Sequence, residues 1–207
     1  MVVIHYTGME SCAAALERLC DPRAEVSAHY LIDESGGLYA LVPEEMRAWH
    51  AGAGGWGAVG DVNSRSIGIE LANSGRAPFA ERQMRALEGV LADVTARWSI
   101  PPERVIGHAD MAPARKDDPG PYFDWRRLAR AGLSVWPEGA EPGDGGMAEF
   151  LGHLRRFGYP PAPDARLLGV FRARFRPFVE GPLDPLDLGI AAQLARRFPV
   201  DRAGADT

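Results

Sequence analysis

Hydrophobic positions along this chain follow two periods. Val2, Val3 and Ile4 form a short, mostly β-branched run ending at His5-Tyr6-Thr7, which predicts a buried strand over Val2–Tyr6. Ser11 to Leu19 reads as a helix with Ser11 as its N-cap. Val26–Ile32 and Gly37–Val42 read as strands joined by the turn Asp33-Glu34-Ser35-Gly36. Ser66–Leu71 is another short strand. From Glu81 to Trp98 the period changes: Met84, Leu87, Val90, Leu91, Val94 and Trp98 recur at helical spacing. Val105–Gly107 is a brief strand, and Asp124–Ala131 a short helix. The stretch Pro137–Gly146 (PEGAEPGDGG) has linker composition. Three helical patterns follow it, at Met147–Phe157, Asp164–Arg176 and Pro185–Phe198.

Strands mixed with helices predict an α/β fold, a mixed β-sheet flanked by helices, with a small C-terminal three-helix module. The expected division is a catalytic domain over 1–136, a linker over 137–146, the helical module over 147–200 and a tail over 201–207. Removing everything after Trp136 should then leave a working catalytic domain.

Composition narrows the function classes. The chain has 207 residues, 46% of them hydrophobic and 25% charged, as in ordinary globular proteins. A net charge of −5 argues against a general nucleic-acid binder. The two cysteines, Cys12 and Cys20, sit eight apart in the first helix and suit neither a zinc knuckle nor a disulfide framework. No apolar run is long enough to span a membrane. Met-Val-Val-Ile-His carries no basic n-region and no long apolar core, so the chain as written is expected to be cytoplasmic. An export segment upstream of it would place it in the periplasm or at the outer membrane. Monomer is the default expectation.

The chemistry concentrates in one run, His108-Ala-Asp-Met-Ala-Pro-Ala-Arg-Lys-Asp-Asp-Pro-Gly-Pro121, whose Pro and Gly content predicts a loop rather than a helix. His108 and Asp118 suit zinc, and a third ligand from His5 would leave a fourth position open, as catalytic zinc sites do. Each also has a structural reading: a packed imidazole, or an Asp-Pro-Gly turn. Glu70 lies inside the apolar strand IGIEL, where it faces either solvent or a site; in a site it would act as a general base. Lys116 is either a solvated loop cation or the group that stabilises an oxyanion. Together these residues describe metal-assisted amide hydrolysis. His29 alternates with apolar neighbours and reads as a core histidine or one backing the ligands. His50, between Trp49 and Trp56 in a small-residue loop, reads as a groove wall or as a packed aromatic loop.

The strings VIHYT, VSAHYLI, AWHAG, SIGIEL and GHADMAPARKDDPGP, in this order, resemble the zinc-dependent N-acetylmuramoyl-L-alanine amidases of the type 2 family. The resemblance covers roughly residues 2–135 and looks most like the broad-specificity bacterial branch, which accepts both intact peptidoglycan and anhydro-muropeptides. It implies one zinc per chain held by His5, His108 and Asp118, with Glu70 and Lys116 as catalytic residues. Tyr6 and Thr7, after the first ligand, would join His50 in lining the substrate groove. The related peptidoglycan recognition proteins and phage enzymes typically carry Cys at the position of Asp118 and Tyr at that of Ala28; the presence of Glu70 offsets the missing tyrosine and favours the bacterial enzyme branch. The implied partners are muropeptides and, through a weaker likeness in FRARFRP of the C-terminal module, polymeric cell wall. The competing classes are a non-catalytic wall-recognition module and a hydrolase of the same fold acting on another peptide amide.

Overall fold

The computed structural model describes residues 1–201, so the expected tail from 202 onward lies outside the described residues. Five strands form one mixed sheet: β1 (Val2–Tyr6), β2 (Tyr30–Ile32), β3 (Leu38–Ala40), β4 (Ile67–Leu71) and β5 (Val105–Gly107), in the order β3-β2-β4-β1-β5. β2 and β3 pair antiparallel across the expected turn; β2–β4, β4–β1 and β1–β5 are parallel. The first strand is therefore central, which suits its fully buried Val2, Val3 and Ile4.

Among the described residues, seven α-helices flank the sheet: α1 (Cys12–Cys20), α2 (Glu81–Arg97), α3 (His108–Met111), α4 (Trp125–Arg130), α5 (Met147–Phe157), α6 (Asp164–Phe175) and α7 (Pro185–Arg197). Ser11 caps α1, its Oγ accepting from the Ala14 N–H at 3.2 Å. Strand alternation sorts the core onto two faces. Val2, Ile4, Ile67, Ile69 and Leu71 join Met84, Leu87, Leu91 and Val94 of α2, with Trp125 and Leu128 of α4. On the other face, Val3 and Ile106 join Trp56 and Met111, and with them Phe150, Phe157, Phe171 and Leu194 of the three C-terminal helices. The core thus runs without a break across the compositional linker, because the inward faces of α5–α7 have the sheet as their partner.

Three local expectations need correction. The strand expected over Val26–Ile32 begins only at Tyr30, because Ser27 pairs with the 49 loop instead: its N–H donates to the Trp49 carbonyl and its Oγ accepts from the Trp49 N–H. The run after His108 does contain helix: residues 108–111 form one turn, with the Ala112 N–H bonded to the His108 carbonyl, before the first proline intervenes. Trp56 is no groove wall; it is fully buried and packs edge-on against Phe157 and Tyr159. Both cysteines are free thiols, and among the described residues no helix is long and apolar enough to cross a membrane.

Candidate active site

The site forms where the parallel strands β4, β1 and β5 end, the edge at which open α/β sheets bind ligands. His5 lies near the end of β1 and Glu70 directly opposite it on β4, in register. Paired residues on neighbouring strands point to the same face, and this is the face opposite α2. Glu70 therefore points into the site, not to solvent. β5 ends at Gly107, so His108 opens the helical turn beside His5. Asp118 returns to the same point because the Ala109 N–H donates to its carbonyl at 2.8 Å.

Three ligand atoms converge. His5 Nδ1 lies 2.9 Å from His108 Nδ1 and 3.0 Å from Asp118 Oδ2, and His108 Nδ1 lies 3.2 Å from the same oxygen. All three residues are buried. The protons on these rings follow from their outer partners. Ser66 Oγ donates to the Val62 carbonyl, so it accepts from His50 Nε2–H at 3.2 Å. His50 Nδ1 is then left with a lone pair, which accepts from His5 Nε2–H at 3.0 Å. His108 Nε2–H donates to the Ala51 carbonyl at 2.8 Å. Both inward Nδ1 atoms therefore present lone pairs to an ionised carboxylate oxygen, with no proton among them. Such a triangle is repulsive unless a cation sits at its focus, and two imidazoles with one carboxylate form a zinc-type donor set. The residues fit a metal ion.

The electrostatics agree. Burial, reinforced by the neighbouring His108, lowers the His5 pKa to about 4, so this ring is neutral and able to ligate. Burial lowers His50 well below the ordinary histidine value for the same reason. Burial pushes the Asp118 carboxyl up, but the His108 and His5 rings packed against it outweigh that and hold the group well below the usual carboxylate range. Glu70 goes the other way: burial, then the charge of Asp118, raise its pKa to about 8, and its Oε2 is enclosed with no hydrogen-bond partner. A carboxyl that accepts a proton near neutrality is suited to general base work.

These groups open on a groove of about 390 Å³ that also receives Tyr6, Thr7 and Lys116. Thr7 is tied to Asn73 at the rim, exchanging bonds with its backbone at 3.4 Å. Trp49, 57% exposed, also lines the groove. His50 lines the groove as expected, and its ring nitrogens face His5 and Ser66. Its ring can come this close to the sheet because position 68 is glycine: a Cβ there would come within 2.3 Å of the imidazole. His29 stands further back. It accepts from the Gly68 N–H, donates to the Met46 carbonyl and touches His50 edge-on, without reaching the three ligand atoms.

Ser66, Asp110 and Arg115 escape a reading of the sequence. Arg115 holds the loop below the ligands by donating to the Ala51 and Ala53 carbonyls. Asp110 Oδ2 accepts from the Gly107 N–H at 2.8 Å and so caps the turn that begins with His108. The spacing Gly-His-Ala-Asp, with an acid three residues past a helix start, is a local signal for that cap.

Fold and site together define an amidase-type centre at the carboxyl ends of a mixed sheet, where His5, His108 and Asp118 form a group that could hold a metal ion. The chain belongs to the N-acetylmuramoyl-L-alanine amidase family, whose sequence profile matches residues 1–121. It is 36% identical to the N-acetylmuramoyl-L-alanine amidase AmiD of Escherichia coli, over 97% of this chain and 84% of that protein. It is 40% identical to the 1,6-anhydro-N-acetylmuramyl-L-alanine amidase AmpD of Haemophilus influenzae, over 49% of this chain and 56% of that one. Its structure superposes with a TM-score of 0.88 on E. coli AmiD in complex with anhydro-N-acetylmuramic acid-L-Ala-D-gamma-Glu-L-Lys, covering 97% and 90% of the two chains. The TM-score is 0.85, at 31% identity, with AmpDh3 of Pseudomonas aeruginosa in complex with an anhydromuramic pentapeptide, covering 96% and 92%.

Proposed function

We infer that this protein is an enzyme that hydrolyses the amide between the lactyl group of N-acetylmuramic acid, or its anhydro form, and L-alanine in peptidoglycan fragments. The observation that carries this reading is the proton-free triangle of His5, His108 and Asp118 beside an enclosed, unpartnered Glu70 oxygen. A recognition module needs neither; the complete set favours the catalytic reading.

One zinc per chain would be held by these three residues; when bound, it supplies Lewis-acid polarisation of the scissile carbonyl and makes water more acidic. Glu70 takes the proton of the attacking water as its oxygen adds to the carbonyl carbon. Lys116, on the groove wall, stabilises the negative charge that develops on the carbonyl oxygen. Glu70 then passes its proton to the departing alanine nitrogen as the C–N bond breaks. The products are a muramyl carboxylate and a free peptide amine, and Glu70 returns to its starting state. Tyr6, Thr7 and Trp49 border the groove where the sugar and peptide would lie.

The test is product analysis with anhydro-N-acetylmuramic acid-L-Ala-D-gamma-Glu-L-Lys. Released tripeptide should appear by mass spectrometry, disappear on chelation and return with one equivalent of zinc. Cleavage that survives exhaustive chelation would overturn the reading.

A further inference from the structure

α6 grips the segment 108–118 at both ends. Near its C-terminus, Arg174 is 3% exposed and donates from Nη1 to Asp110 Oδ2 at 2.5 Å. Its Nη2 donates to the Val105 carbonyl and to Ser134 Oγ, both at 3.2 Å, and the guanidinium lies 4.2 Å above the Trp125 ring. Asp110 is 2% exposed, and its other oxygen accepts from the Tyr159 hydroxyl at 2.6 Å. The carboxylate that caps the His108 turn is thus itself held by two side chains from the C-terminal region. Eight residues earlier, about 12 Å along the helix, Arg166 donates from Nε to the Pro113 carbonyl at 2.8 Å. Its Nη2 reaches the Lys116 carbonyl at 3.0 Å and Asp117 Oδ1 at 2.9 Å. Those bonds fix the backbone immediately before Asp118.

We propose that Arg174, Tyr159 and Arg166 are positioning residues for the metal centre, so that the C-terminal helices set the geometry of His108, Lys116 and Asp118. The physical case is how little regular structure the segment has. One helical turn and a short return with a single proline carry His108, Lys116 and Asp118; beyond the four-residue turn, the backbone is held by a few bonds, from the Arg115 and Lys116 N–H groups to the Ala112 carbonyl and from the Ala109 N–H to the Asp118 carbonyl. Unbraced, such a segment samples many backbone states, and each ligand must be ordered when the metal binds. Groups that orient ligands typically contribute about 10-fold to 100-fold in metal affinity. Arg166 carries the distinctive part of the prediction, because its side chain is 40% exposed and bonds to two backbone carbonyls and one exposed carboxylate, not to the core.

The inference rests on the zinc reading above, and the test separates the two. Full-length protein and the variants Arg166→Met and Tyr159→Phe are titrated with zinc against a chromophoric chelator; the metal-free proteins are melted in parallel. Arg166→Met should weaken zinc binding by about 10-fold or more and lower kcat with KM unchanged, while the metal-free melting temperature moves by no more than about 2 °C. Tyr159→Phe should give a smaller loss of the same kind, and Arg166→Lys should restore part of the affinity. Unchanged zinc affinity and kcat in Arg166→Met would overturn the proposal, as would a loss of melting temperature with affinity intact. Failure of the unsubstituted protein to bind zinc would remove the zinc reading, and this proposal with it.

Discussion

Glu70 stores its proton at a measurable cost to the fold. In the metal-free protein its pKa stands at about 8, against an ordinary value of 4.5. An acid whose pKa is raised in the folded state binds its proton more tightly there than in the unfolded chain. Below pH 4.5 the group is protonated in both states and contributes nothing pH-dependent. Between 4.5 and 8 the unfolded chain releases the proton and the folded chain keeps it, so stability falls as pH rises, by about 1.4 kcal/mol per unit. Above 8 both states are ionised and the penalty is complete, at about 5 kcal/mol for the full interval. Relaxation and water entry on ionisation would reduce that figure, so about 3 kcal/mol is a realistic floor. Glu70→Gln removes the titration and keeps the shape. Urea unfolding of chelated protein at pH 5 to 9 should therefore give two curves that diverge: the variant gains on the native sequence by about 2–4 kcal/mol between pH 5 and pH 8, then approaches a parallel course by about pH 9. Parallel curves across the whole range would refute the buried, unpartnered state of Glu70. The same variant, loaded with zinc, should retain the metal and lose most of its turnover.

Two further outcomes follow from the packing. His50→Ala breaks the chain from Ser66 to His5 and should weaken zinc binding by about 10-fold to 100-fold, read by chelator competition; unchanged affinity would mean that His5 needs no such partner. Truncation after Trp136 strips Phe150, Phe157, Phe171 and Leu194 from the face that covers Trp56 and Ile106, and should abolish cooperative urea unfolding. A truncated protein with a sharp transition would show that the sheet's second face is stable without those helices.

How much of this was legible in the sequence depends on the range of the signal. β1 and α2 were readable because period and burial coincide within a few residues: Val2–Tyr6 is a central strand, and Met84, Leu87 and Leu91 make one buried stripe. The α1 cap was readable because Ser11 acts on a neighbour three residues away. The turn at 108–111 was not, because the prolines and glycines of the run lie after it and masked four helix-compatible residues. For Trp56 the local sequence left a groove wall and a packed aromatic equally open, because the neighbours that decide it, Phe157 and Tyr159, lie far along the chain. Nothing local marked the roles of Arg174 and Arg166, because their partners Asp110 and Pro113 lie across the fold.

The sequence by itself determined which residues were available to hold a metal and move a proton, because chemistry of that kind is restricted to few side-chain types and their order along the chain is distinctive. It also determined most helices and strands, since those obey local periodicity. The tertiary structure decided the rest. In-register pairing of β1 with β4 turned Glu70 toward His5, the hydrogen-bond chain through His50 fixed which ring nitrogens face inward, and α6 took hold of the loop that carries the remaining ligands. Each of these depends on contacts between segments distant in the chain, set by how two sheet faces bury their apolar surface.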